Sequence, residues 1–127
     1  MAREVITTTG APAAVGPYSQ GIKANGFVFT AGQVGLDPAT GKLVEGDVLD
    51  QARRVFLNLK AILEAAGSSL DKVVKMTVFL KDINDFKRVN EVYAQFVPAP
   101  FPARSAFQVA ALPLGALIEI EAVALAG

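Results

Sequence analysis

Arg104, Glu119 and Glu121 are the residues whose types and spacing best suit polar chemistry in this chain. Arg104 lies in "VPAPFPARSAFQV" (Val97 to Val109), where Pro98, Pro100 and Pro102 stiffen the approach to a strand-like run. Its guanidinium presents a planar fork of donors that matches a carboxylate with two parallel hydrogen bonds. Strand alternation puts Arg104, Ala106 and Gln108 on one face. In "LIEIEAVAL" it puts Glu119 and Glu121 together, opposite Ile118, Ile120 and Ala122, with the two carboxylates roughly 7 Å apart along the strand. An arginine fork beside a carboxylate base would clamp an anion and activate a nucleophile next to it. The same pattern also fits a structural ion pair across a sheet, or two solvated glutamates. Periodicity leaves these alternatives open.

Composition removes many other chemistries. The 127 residues contain no cysteine and no histidine. That excludes disulfides, thiolate nucleophiles, Cys/His zinc sites and any Ser-His-Asp triad. Twelve basic and 12 acidic side chains give zero formal charge, so no strong field draws the chain to nucleic acid or anionic lipid. The start "MAREVITTTG" is too polar for a signal peptide, and no apolar run is long enough to span a bilayer. A soluble cytoplasmic protein is the expectation. Hydrophobic residues make up 52% of the chain, above a usual share of about 45–50% that also counts glycine. In one domain spanning 1–127, that surplus calls for burial between subunits.

The elements that must position these residues follow from pattern and punctuation. "REVITTT" reads as a first strand. Asn25-Gly26 separates two β-prone runs, "YSQGIKA" and "FVFTAGQV", as a type I′ hairpin turn. "DPATGK" is a turn, with Gly41 suited to the left-handed region. Asp47 caps a helix in which Ala52, Val55, Phe56, Leu59, Ile62, Leu63 and Ala66 recur at helical spacing until Gly67 stops it. "KVVKMTVFL" is a strand with Val74, Met76, Val78 and Leu80 on one face. Asn84 is expected to cap a second helix whose stripe is Phe86, Val89, Tyr93 and Val97. Asn90 falls on that stripe and must find hydrogen bonds. The order β-β-β-α-β-α-β-β predicts an α+β domain with both helices on one sheet face, leaving the other apolar face for a partner.

Other motifs carry little. "GLDPATGK" has five residues between its glycines and Leu43 where a phosphate loop needs Ser or Thr. Asp82 and Asp85 fit helix capping better than metal binding.

Four segments together resemble the RidA (YjgF) family of reactive intermediate deaminases. They are "GPYSQG" at Gly16–Gly21, "FTAGQVGLDPATGKL" at Phe29–Leu43, the stretch from Gln51 to Phe96, and "FPARSAFQVAALPLGALIEIEAVA" at Phe101–Ala124. The resemblance implies a chorismate mutase-like fold of the bacillus type: a six-stranded mixed sheet with two helices on one face, in a homotrimer with sites between subunits. It implies hydrolysis of enamines and imines such as 2-aminoacrylate, released by pyridoxal-phosphate dehydratases, to 2-keto acids and ammonia. No metal or cofactor is needed for that reaction.

Carried over by position, Arg104 would hold the substrate carboxylate and Glu119 would activate water. The N–H groups of Gly32 and Ala106 would bind substrate oxygens, Tyr18 would line the cleft, and Asn90 would stand behind them. Ala31 would also belong to the substrate-binding set; it and Ala106 occupy places where many members carry Ser and Cys, so neither hydroxyl nor thiol is present there. Two other functions stay in view: an endoribonuclease that inhibits translation, and a keto-acid-binding protein without turnover.

Overall fold

The computed structural model describes residues 2–127. Its strands are β1 (Glu4–Ile6), β2 (Gly21–Ala24), β3 (Phe27–Thr30), β4 (Gln33–Val34), β5 (Val73–Leu80), β6 (Ala103–Gln108) and β7 (Ile118–Leu125). Its helices are α1 (Val48–Ala65) and α2 (Phe86–Phe96). Asn25 and Gly26 both adopt positive φ, 53° and 83°, so the β2–β3 hairpin closes through the tight turn that this dipeptide favours. The sheet order is β1-β2-β3-β7-β5-β6, antiparallel at every step except the parallel β5–β6 pair. This is the α+β class with a mixed, mostly antiparallel sheet.

The expected hairpin strand through "FVFTAGQV" is interrupted. Both β3 and β4 pair with β7, but Phe29 opposes Val123 while Gln33 opposes Ile120. One strand spends an extra residue there, which is a β-bulge. At the break Thr30 Oγ1 accepts the Ala122 N–H at 3.0 Å, and the Ala31 N–H donates to Gln20 at 2.9 Å. The two-residue β4 thus adds a seventh segment to a sheet six strands wide.

Helix α1 is fixed at both ends by its sequence. The Asp47 carboxylate accepts the N–H groups of Leu49 and Asp50 at 2.9 and 3.3 Å, and Asp50 Oδ2 accepts the Asp47 N–H at 3.0 Å. Gly67, at φ 80°, ends the helix by donating its N–H to Glu64 while Ser68 donates to Leu63. All seven residues of the expected stripe are buried against the sheet. Full burial of each large aliphatic among them contributes about 1.5–3 kcal/mol.

Two sequence expectations need correction. Asn84 does not cap α2; it sits inside a short 3-10 turn, and the Asp82 carboxylate two residues earlier accepts its N–H at 2.9 Å. Asp85 precedes α2 without a side-chain cap. The anionic acceptor at Asp82 takes the capping role because it reaches its own backbone two residues on. Val74 does not share a face with Met76. A bulge between Val73 and Lys75 buries Val73 and leaves Val74 37% exposed.

The cross-strand register sorts the rest. Met76, Val78, Leu80, Ile118, Ile120 and Ala122 face the helices and are buried. Lys75, Thr77 and Phe79 look the other way with Glu119, Glu121 and Val123. That second face also carries Phe27, Phe29 and Phe107, and among the described residues no helix covers it. Phe29 and Phe107 are 45% and 44% exposed. Among the described residues no helix is long and apolar enough to cross a membrane.

Candidate active site

Glu119 is set in place by the β3–β4 bulge. It pairs with Val34 of β4 and Phe79 of β5, and its carboxyl lies against Gly32. A β-carbon on Gly32 would stand 2.5 Å from Glu119 Oε2 and 2.9 Å from Cδ, so only glycine admits this approach. Asn58 of α1 holds the backbone next to it, donating its amide to the Val34 and Leu36 carbonyls at 3.3 and 3.0 Å. Burial pushes the Glu119 pKa above the usual carboxylate value, and the neighbouring Glu121 charge pushes it the same way.

Glu119 and Gly32 line a cavity of about 440 Å³ together with Tyr18, Gln33, Leu36 and Leu114. Buried Gln20 holds the loop that supplies Pro12 to this lining. Its amide nitrogen donates to the carbonyls of Thr8, Ala11 and Pro12, and its amide oxygen accepts the Thr8 N–H at 2.7 Å. These bonds tie the loop before β2 in place. The Tyr18 hydroxyl accepts the Val15 N–H at 3.4 Å, and its ring is half exposed.

Arg104 lies elsewhere. It pairs with Met76 on β5, which puts its side chain on the helix face of the sheet. There its Nη1 donates to Asn90 Oδ1 at 2.8 Å. The guanidinium carbon stands 4.8 Å from the Phe86 ring centroid and 4.7 Å from that of Tyr93. Arg104, Asn90, Tyr93, Ala94, Phe101 and Pro102 line a second cavity of about 460 Å³. Among the described residues Arg104 forms no ion pair. The Tyr93 hydroxyl is buried with no hydrogen-bond partner among the described residues, and burial raises its pKa against the opposing pull of Arg104.

Of the residues singled out from sequence, Tyr18, Gly32 and Glu119 therefore share one cavity, and Asn90 and Arg104 share the other. Ala31 is half buried beside Gly32 and lines neither. Ala106 follows Arg104 on the same strand face and packs on the core. Because the Val109 N–H donates to Leu80 of β5, alternation turns the Ala106 N–H toward the free edge of β6. Within one chain, Arg104 is neither a structural partner of a glutamate nor adjacent to Glu119. Sequence reasoning missed Phe86, Tyr93 and Phe101 as site residues, although Phe86, Asn90 and Tyr93 recur at i, i+4 and i+7. Among the described residues no group of three or more acidic, Cys or His side chains is placed to hold a metal ion.

The family described as Endoribonuclease L-PSP matches residues 8–126. A RutC family protein of Pyrococcus horikoshii is 57% identical over 122 residues, covering 96% of this chain and 97% of the relative. The human 2-iminobutanoate/2-iminopropanoate deaminase is 52% identical over 125 residues, covering 98% and 91%. The crystal structure of RidA from an Antarctic Psychrobacter matches with a TM-score of 0.93 at 51% identity, covering 96% and 98% of the two chains.

Proposed function

The chain belongs to the RidA/YjgF family, and from that premise we propose that it is a hydrolase converting enamines and imines to 2-keto acids and ammonia. Relatives at about half identity over nearly the whole chain are named deaminases of 2-iminobutanoate and 2-iminopropanoate. The observation that carries the reading onto this chain is the state of Arg104. Its guanidinium is held by an amide and two rings, with no described carboxylate neutralising it. A ligand carboxylate suits that fork.

The site is a composite of two copies. Arg104 and Glu119 point to opposite sides of one sheet, so a closed site needs the Glu119 cavity of one copy against the Arg104 cavity of another. The uncovered face, with Phe29 and Phe107 exposed among its aromatics, gives the copies an apolar surface for packing. A homotrimer with three such clefts fits this requirement and the family resemblance.

In the cleft, Arg104 anchors the substrate carboxylate and Asn90 holds Arg104. Glu119 takes a proton from water as the water oxygen bonds to the imine carbon. Glu119 passes that proton to the nitrogen, which takes a second from the new hydroxyl and leaves as ammonia when the C–N bond breaks, and the oxygen becomes the keto group. The raised Glu119 pKa makes its carboxylate a stronger base than an exposed glutamate. The outward Ala106 N–H and the Gly32 backbone supply donors to substrate oxygens. Pyridoxal-phosphate dehydratases acting on serine or threonine are the class of enzyme that would supply the substrate.

The test generates 2-aminoacrylate with a serine dehydratase and follows pyruvate. Added protein should accelerate its appearance, and Arg104→Ala should abolish the effect with thermal stability nearly kept. The family's description also names an endoribonuclease. With zero formal charge the chain lacks the field that strong RNA binding uses. A steep salt dependence of single-stranded RNA binding would favour that activity instead.

A further inference from the structure

The Arg104 guanidinium is oriented by groups that carry no charge. Phe86, Asn90 and Tyr93 stand at i, i+4 and i+7 on α2, so all three fall on one helix stripe. That stripe meets a single side chain of β6: ring, amide and ring against one guanidinium, at 4.8, 2.8 and 4.7 Å. We infer that this stripe is a neutral cradle that fixes the Arg104 fork for an incoming carboxylate, making Phe86 and Tyr93 positioning residues of the reaction.

The chemistry favours rings over a carboxylate in this place. An aspartate or glutamate would orient the guanidinium equally well, but it would occupy the fork and neutralise it. Aromatic faces attract the cation through their quadrupoles and leave the in-plane N–H groups free. Among the described residues only Nη1 is engaged, by Asn90, so the remaining donors can meet both oxygens of a carboxylate.

The cradle is anchored to the core on its far side. Tyr93 is 5% exposed and meets Phe56 edge to face at 5.8 Å, while Phe56 stacks on Phe96 at 5.1 Å. The Tyr93 ring therefore has little freedom and passes core rigidity to Arg104. The hydroxyl has no partner among the described residues, so it is the ring of Tyr93 that the cradle uses.

The inference rests on the reading of Arg104 as a carboxylate anchor, and the experiment separates the two. Titration calorimetry with 2-ketobutyrate and deaminase kinetics are run on Arg104→Ala, Phe86→Leu, Tyr93→Leu and Tyr93→Phe. Phe86→Leu and Tyr93→Leu should each weaken keto-acid binding about 2- to 30-fold. KM should rise by a similar factor, and kcat should fall less. Tyr93→Phe should recover most of what Tyr93→Leu loses. Loss of binding in Arg104→Ala with wild-type affinity in both leucine variants overturns the cradle and leaves the anchor standing. Wild-type affinity in Arg104→Ala overturns the anchor.

The Arg104 Nε–Hε resonance reads the cradle without any ligand. It should be shifted by ring current in the wild type and move toward the free-arginine position in Phe86→Leu. An unmoved resonance overturns the inference. Phe86 is half buried at the start of α2, so its variant serves even where Tyr93→Leu fails to fold.

Discussion

Arg104 and Glu119 extend from opposite faces of the same sheet: Arg104 beside Met76 under α2, Glu119 beside Phe79 on the uncovered side. Two groups that the proposed reaction needs together thus belong to separate cavities of one chain. A second copy is then a chemical requirement of the reading.

The assembly can be broken at its apolar face. Phe29 and Phe107 are exposed on that face, and burying a charge there without a partner is strongly unfavourable. Sedimentation equilibrium at micromolar concentration should give a trimer for the wild type. Phe107→Glu should give monomers that keep the fold and lose the deaminase activity. A monomeric wild type with full activity would contradict the composite site.

The two glutamates should separate in kinetics. Glu119→Gln keeps shape and hydrogen bonding but is a poor proton acceptor, so turnover should fall by about 10²–10⁴-fold with keto-acid binding largely kept. Glu121→Gln should change turnover by less than about threefold. Equal small losses would mean that water is activated by another group.

The same pair predicts a pH effect. The Glu119 pKa is raised first by burial and then by the Glu121 charge. Glu119 must be ionised to act as base, so activity falls as pH drops through its pKa, above the usual carboxylate value of 4.5. Removing the Glu121 charge lowers that pKa, so Glu121→Gln should move the acid limb of kcat/KM to lower pH. It should therefore be the more active protein on the acid limb, with no difference at neutral pH. A limb that moves upward would reverse the assigned coupling.

Much of this was legible in the chain. The turn at Asn25-Gly26, the capped and glycine-stopped α1 and the alternation of β7 all follow from local physics, since cap, stripe and turn residues agree with the fold. Interruptions were harder to read. The bulges at Ala31–Gly32 and at Val74 depend on what the neighbouring strand offers, and nothing in "FTAGQV" or "KVVKM" marks the extra residue. Pairing of strands was also hidden. Alternation grouped Arg104 with Ala106 and Glu119 with Glu121, but which face each group takes is fixed by register with β5. That is why the sequence fits an Arg–Glu pair across the sheet as well as it fits a clamp. The aromatic neighbours of Arg104 on α2 carry the spacing of a core stripe, and a helix face serving both core and site has one periodicity.

Gly32 offers a test of close approach. An added β-carbon would meet the Glu119 carboxyl at 2.5 Å, so Gly32→Ala must displace it. A shift of about 1 Å at a catalytic group can lower turnover on the order of 10²-fold. Stopped assays beside thermal melts should show that loss with a smaller change in stability. Retained turnover would mean that the Glu119 position is not critical.

Tyr93→Phe tests the orphaned hydroxyl. A buried polar group without a partner is unfavourable by about 1–3 kcal/mol. Removing it should leave stability unchanged or raise it by about 1 kcal/mol, read from denaturant melts. A marked loss would show that the hydroxyl has a partner in the assembled protein.

Mixing two inactive variants tests the central claim most directly. Arg104→Ala lacks the anchor and Glu119→Gln lacks the base, so each homotrimer should be inactive. If each site takes Glu119 from one copy and Arg104 from another, a mixed trimer always contains one intact site. Unfolding the two together at equal amounts and refolding them should restore about a quarter of wild-type activity per chain. A site contained within one chain would give no recovery at any mixing ratio, and that result would contradict the account.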